Sequence, residues 1–204
     1  ICPVPRIYTD HYYKRFLQFM DEPAITSKDI VMLGNSLTEG GGDWSARLGK
    51  KNVRNRGIIG DEVMGIYDRL HQILPGHPAK LFLLIGVNDI SHNLTSDSIV
   101  SMIRTTVERI QKESPDTKFY LQSLLPFNES FGRYKSLTGK TDMVPEVNLR
   151  LEALAKEKNI AYIDLFPLFT EKGTNVLRSE LTNDGLHLNE DGYKIWVKAI
   201  KKKI

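Results

Sequence analysis

The sequence predicts a three-layer α/β/α sandwich around a five-stranded parallel sheet with flavodoxin-like strand order, and three observations point to it. Short apolar runs alternate with helix-length segments along most of the 204 residues. The first run, Ile30-Val31-Met32-Leu33, is apolar at every position, as a strand covered on both faces must be. Glycine- and asparagine-bearing turns, Gly34-Asn35-Ser36, Asn55-Arg56-Gly57 and Gly86-Val87-Asn88-Asp89, follow the first three runs. Right-handed crossovers would place these three turns on one rim of the sheet.

The elements follow in order. Residues 1–29 read as an N-terminal helical extension, with a helix from Asp10 to Asp21 whose Tyr12, Tyr13, Phe16, Leu17, Phe19 and Met20 pack on the side of a single domain over 30–204. Strands are expected at Ile30 to Leu33, Asn52 to Asn55, Lys80 to Ile85, Lys118 to Ser123 and Ala161 to Asp164. Helices are expected at Asp61 to Leu74, Ser96 to Lys112, Pro145 to Lys158 and Asn189 to Lys202. Ser96 is the expected cap of its helix, and Pro145 suits a first turn. Asn189 before Glu190 and Asp191, with lysines at the far end, matches the last helix to its dipole. One long irregular stretch, Leu125 to Val144, interrupts the pattern, and such loops are often functional.

Composition removes several classes of function. Lys+Arg 28 against Asp+Glu 25 gives a net charge of +3, and the charges are interspersed. The one basic run, Lys201-Lys202-Lys203, reads as a solvated helix end, so no nucleic-acid partner is expected. No apolar stretch approaches the ~18–20 residues of a membrane span. Cys2 is the only cysteine, which excludes an intramolecular disulfide and cysteine-rich zinc sites. His11, His71, His77 and His92 lack ligand spacing, so neither a metal nor a cofactor is expected. The chain begins at Ile1, which we read as export with an upstream signal removed, Cys2 then being a candidate lipid-attachment site; a cytoplasmic protein with an inert cysteine is the alternative.

The chemistry lies in two short segments. Gly34-Asn35-Ser36-Leu37-Thr38 puts a serine at the carboxyl end of the first strand, where open α/β sheets hold their ligands. Asp184-Gly185-Leu186-His187 puts a carboxylate and an imidazole three residues apart. Together they offer a nucleophile, a base and a group to orient the base. The backbone N–H groups of Ser36 and Gly57 and the side-chain amide of Asn88 could form an oxyanion hole. Asp61 and Asp89 read as structural caps, and Gly40-Gly41-Gly42 as room for substrate beside Ser36. Trp44, Phe127 and Tyr134 are the candidate substrate-pocket walls, with ordinary packing as the alternative. Thr38 stands where Gly-x-Ser-x-Gly needs its last glycine, which argues against an α/β-hydrolase elbow.

These blocks resemble the SGNH (GDSL) hydrolase superfamily. The matching runs are Gly34 to Gly40, Asn55 to Asp61, Gly86 to Asp89 and Asp184 to Asn189, and they resemble most the branch of the platelet-activating-factor acetylhydrolase catalytic subunits and related bacterial acetylesterases. Asn35 departs from the family's usual acid before the serine. The resemblance implies an esterase in which Ser36 attacks, His187 is the base, Asp184 orients it, and Ser36, Gly57 and Asn88 hold the oxyanion. The expected substrate is a short-acyl ester, such as an acetylated sugar. A lysophospholipase or thioesterase for longer chains, and a non-catalytic binding module on the same fold, are the alternatives.

Overall fold

The computed structural model describes residues 6–204, so Cys2 lies outside the described residues. Five strands, β1 (Ile30–Gly34), β2 (Val53–Gly57), β3 (Lys80–Leu84), β4 (Lys118–Gln122) and β5 (Ala161–Ile163), form one sheet in the order β2-β1-β3-β4-β5. Every pairing is parallel. This is the flavodoxin-like order that the sequence pattern predicts.

The pleat divides the core in two. Val31, Leu33, Leu81, Leu83, Phe119 and Leu121 face one way and pack with α4 (Val63–Arg69), α6 (Ser96–Glu113) and α7 (Met143–Glu157). Met32, Phe82, Leu84, Tyr120 and Ile163 face the other way, against α3 (Trp44–Leu48) and α9 (Glu190–Ile200). On that side Phe82 and Tyr120 stack across neighbouring strands at 4.4 Å.

The N-terminal helix α1 (Asp10–Asp21) matches its expected bounds and buries Tyr12 and Phe19 against Ile58, while Tyr13, Leu17 and Met20 stay exposed. Arg15 donates to the Gly57 carbonyl, and Glu22, just past the helix, pairs with Arg54 and Arg56 of β2. These contacts cover the edge strand, which would otherwise offer unpaired backbone.

Three local expectations are corrected. The predicted helix from Asp61 to Leu74 is instead α4 followed by two 3₁₀ turns, Leu70–Gln72 and Leu74–Gly76. Pro75 lacks the N–H that a continuing helix needs, and His77 closes the second turn at φ 44°. Thr95, not Ser96, caps α6, accepting the Ser98 N–H at 3.2 Å while Ser96 is buried as the first helical residue. Asn52 is a turn residue at φ 63°, a conformation asparagine tolerates, so β2 starts at Val53.

Candidate active site

Ser36 opens the short helix α2 (Ser36–Glu39) directly after β1. Gly34 makes the sharp entry possible, since a Cβ there would collide with Thr38 Oγ1 and the Leu84 carbonyl. Asn35 is the cap: its Oδ1 accepts the Leu37 N–H at 3.0 Å, and the Ser36 N–H keeps no partner among the described residues. The buried Asn35 Nδ2 is also unpartnered, a donor that a carboxylate at this position would not introduce.

The C-terminal segment meets this turn from 151 residues away. His187 Nε2 lies 2.9 Å from Ser36 Oγ, and His187 Nδ1 lies 2.7 Å from Asp184 Oδ2. The other oxygen of Asp184 accepts the Leu186 N–H at 2.9 Å and the His187 N–H at 2.8 Å, which fixes the three-residue spacing. Burial opposes ionisation of Asp184, but the hydrogen bond from His187, these two backbone donors and the Tyr134 hydroxyl outweigh it and hold the carboxyl well below the usual carboxylate range. Asp184 is therefore a carboxylate at neutral pH, an acceptor for the N–H at His187 Nδ1.

The irregular stretch after β4 braces this segment. The Asn128 N–H donates to the Gly185 carbonyl at 2.7 Å, and Gly185, at φ 87°, leaves space that a Cβ would fill against the Asn128 carbonyl. Tyr134 Oη donates to Asp184 Oδ2 at 2.9 Å and sits 3.1 Å from His187 Nδ1. Lys140 Nζ donates to Asn93 Oδ1 at 2.7 Å and to the Ile90 carbonyl at 3.0 Å, tying the same stretch to the end of α5 (Val87–Ser91).

The three candidate oxyanion donors differ in their availability. Asn88, on α5, donates through Nδ2 to the Asp61 carbonyl at 2.8 Å, which orients the amide and leaves its second hydrogen uncommitted. Gly57 departs from the sequence expectation: its N–H donates to Asn55 Oδ1 at 2.9 Å, and its missing Cβ makes room for the backbone of Glu39. Gly60, three residues on, is exposed at φ 80°, and its N–H has no partner among the described residues. Sequence reasoning passed over it although it stands directly before Asp61 in the same block.

Two buried carboxyls back these turns. Asp61 pairs with Arg69 at 2.9 Å with both side chains at 0% exposure, and burial still pushes it up to about 6 against the pull of the guanidinium. Asp89 accepts the Val63 N–H at 3.2 Å, and burial, with Glu62 nearby, pushes it up to about 7.

The pocket-wall candidates separate. Trp44 is 1% exposed, donates Nε1–H to the Thr38 carbonyl at 2.9 Å and packs edge-on against Trp196. Phe127 is likewise core. Both are corrections, and the reason is volume: large rings at these positions fill the two cores. Tyr134 alone reaches the site, on the acid and the imidazole. Gly40 and Gly41 are corrected too, because a Cβ on either would strike Tyr193 or Trp44. Their space belongs to packed rings. A cavity of about 390 Å³ does border Gly60, with Tyr8, Tyr12, Ile59, Glu62 and His92 in its wall.

Residues 32–195 match the family model of the GDSL-like Lipase/Acylhydrolase family. No curated protein matches the chain. Among solved structures, a Streptococcus pneumonia protein provisionally described as a platelet activating factor superposes with TM-score 0.85 at 24% identity, over 95% of this chain and 92% of its own. A GDSL-like lipase from Bacteroides thetaiotaomicron gives TM-score 0.81 at 24% identity, over 94% and 96%. An acetyl xylan esterase gives TM-score 0.70 at 20% identity, over 86% and 99%. At these identities the likeness extends to the fold.

Proposed function

The chain belongs to the GDSL-like lipase/acylhydrolase family, and from that premise we propose that it is a serine esterase cleaving short-acyl esters, an acetylated sugar being the favoured substrate class. One observation supports the reading above the others: Ser36 Oγ, His187 and Asp184 form an unbroken hydrogen-bonded chain at the carboxyl rim of the sheet.

In this reading His187 Nε2 takes the Ser36 proton as Oγ attacks the ester carbonyl carbon, and the charge that develops on the carbonyl oxygen meets N–H donors. The unengaged N–H groups of Ser36 and Gly60 and the free amide hydrogen of Asn88 are the donors assigned here, Gly60 in place of Gly57. Asp184 holds the Nδ1 side of the ring and stabilises its charged form. The imidazolium then protonates the leaving alcohol, and water, deprotonated by the same ring, releases the acid from the acyl-enzyme.

The short-acyl preference is supported by the resemblance of the four sequence blocks to the acetylhydrolase and acetylesterase branch. The cavity at Gly60, with two tyrosine rings beside Glu62 and His92, suits the alcohol portion of a sugar ester. The acetyl xylan esterase of the same fold is in keeping with this substrate class. A ladder of p-nitrophenyl esters tests the preference: kcat/KM is expected to peak at acetate or propionate, and a maximum at eight or more carbons would favour a lipase or thioesterase instead.

A further inference from the structure

The buried Arg69 guanidinium touches two of the three turns that build the rim and reaches the third through one hydrogen bond. Its Nε donates to Asp61 Oδ2 at 2.9 Å, and its Nη2 donates to the Gly34 carbonyl at 3.1 Å, two residues before Ser36. Asp61 follows Gly60 directly, and its backbone carbonyl accepts the Asn88 Nδ2 hydrogen at 2.8 Å. Asp61 is itself immobilised: its Oδ1 accepts the Glu62 N–H at 3.0 Å, and Gly65 of α4 carries no side chain because a Cβ would overlap that same oxygen.

An ion pair with no solvent exposure is a weak source of stability, because desolvating two charges cancels most of their attraction. A well-packed apolar pair would hold α4 to the sheet as well. What a guanidinium adds is direction, since its planar fork fixes two acceptors at set angles. Here those acceptors belong to the nucleophile turn and the Gly60 turn.

We propose that Arg69 is a positioning residue for the oxyanion donors: by gripping the Gly34 carbonyl and the Asp61 carboxylate together, it sets the Gly60 N–H and the Asn88 amide relative to Ser36. The inference rests on the esterase reading for its catalytic consequence, though not for its geometry.

The test combines kinetics with a spectroscopic readout. On p-nitrophenyl acetate, Arg69→Met is expected to lower kcat about 10–100-fold, the scale of a misplacement near 1 Å, with KM changed less than about twofold. Asn88→Ala alone is expected to cost about 10²–10³ in kcat, and Arg69→Met/Asn88→Ala to cost less than the product of the two single effects, because the Asn88 share of the Arg69 effect is then already lost. Arg69→Lys, which keeps the charge but loses the fork, should recover only part of the loss. In ¹⁵N-labelled protein, the Asn88 side-chain NH₂ pair, assigned by its absence in Asn88→Ala, should be exchange-protected in the wild type and lose protection in Arg69→Met. Should Arg69→Met not fold, the isosteric Asp61→Asn is read in the same two ways, with the same direction expected.

Wild-type kcat in the variants, strictly multiplicative effects in the double variant, or an unaltered Asn88 signal would overturn the proposal. An inactive wild type would instead count against the esterase reading, and the Asn88 signal would still decide whether Arg69 positions the amide.

Discussion

The Tyr134 hydroxyl donates to the carboxylate oxygen of Asp184 that also faces His187, 2.9 Å from the one and 2.7 Å from the other. Two donors thus share one oxygen, and losing the hydroxyl removes one of the restraints on the Asp184 carboxylate. Tyr134→Phe should therefore lower kcat on p-nitrophenyl acetate by about tenfold, the scale of one hydrogen bond to a charged group. Steady-state kinetics of the variant check this; a wild-type kcat would mean that the hydroxyl contributes packing alone.

Gly57 and Gly60 are predicted to fail in different ways. Gly57→Ala drives a methyl into the backbone of Glu39, so it should lower the Tm by several degrees. Gly60→Ala meets no atom within 4 Å but must hold φ 80°, a strain of about 1–2 kcal/mol that the turn can relieve by moving its N–H. Its signature should be a fall in kcat larger than its effect on thermal stability. Melting curves alongside kcat for both variants separate the two roles.

Asp89 predicts a pH dependence of stability. Its carboxyl titrates near 7 in the folded protein, above the ~3.9 of an unfolded chain. Its stabilising contribution is fully present below about pH 4 and is lost as pH rises through 7, an upper bound of about 4 kcal/mol. Asp61, raised to about 6, acts in the same direction, while Asp184, depressed, contributes stability above pH 4 that is lost on acidification. Urea midpoints of the wild type should fall between pH 5 and pH 8, and Asp89→Asn should flatten that fall. A midpoint rising over this range would contradict the assignment.

The fold was legible because its signals are local and repeated. Five strand-length segments separated by helical ones admit few topologies, and the alternation of Val31 and Leu33 with Met32 needs both faces covered. The hydrogen-bonded chain of Ser36, His187 and Asp184 was legible for another reason: Asp184 and His187 sit in one turn, and Ser36 at a strand end, so residue type and position already restricted them. Side-chain destinations were not legible. Trp44 and Gly40 look like pocket parts in sequence, yet whether such a position belongs to a core or a cleft depends on partners over 100 residues away, here Tyr193 and Trp196. Hydrogen-bond accounting was equally hidden. That Asn55 engages the Gly57 N–H, leaving Gly60 unengaged, follows from strand geometry that spacing alone does not contain.

Covalent capture of Ser36 is the most direct test of the central claim. A fluorophosphonate, losing fluoride as phosphorus bonds to Oγ, should add its mass to the tryptic peptide containing residue 36 in folded protein. Ser36→Ala should abolish that adduct and lower ester turnover by about 10⁴-fold or more, with an unchanged circular dichroism spectrum. An unlabelled wild type, or a Ser36→Ala variant that turns over p-nitrophenyl acetate at the wild-type rate, would contradict the account.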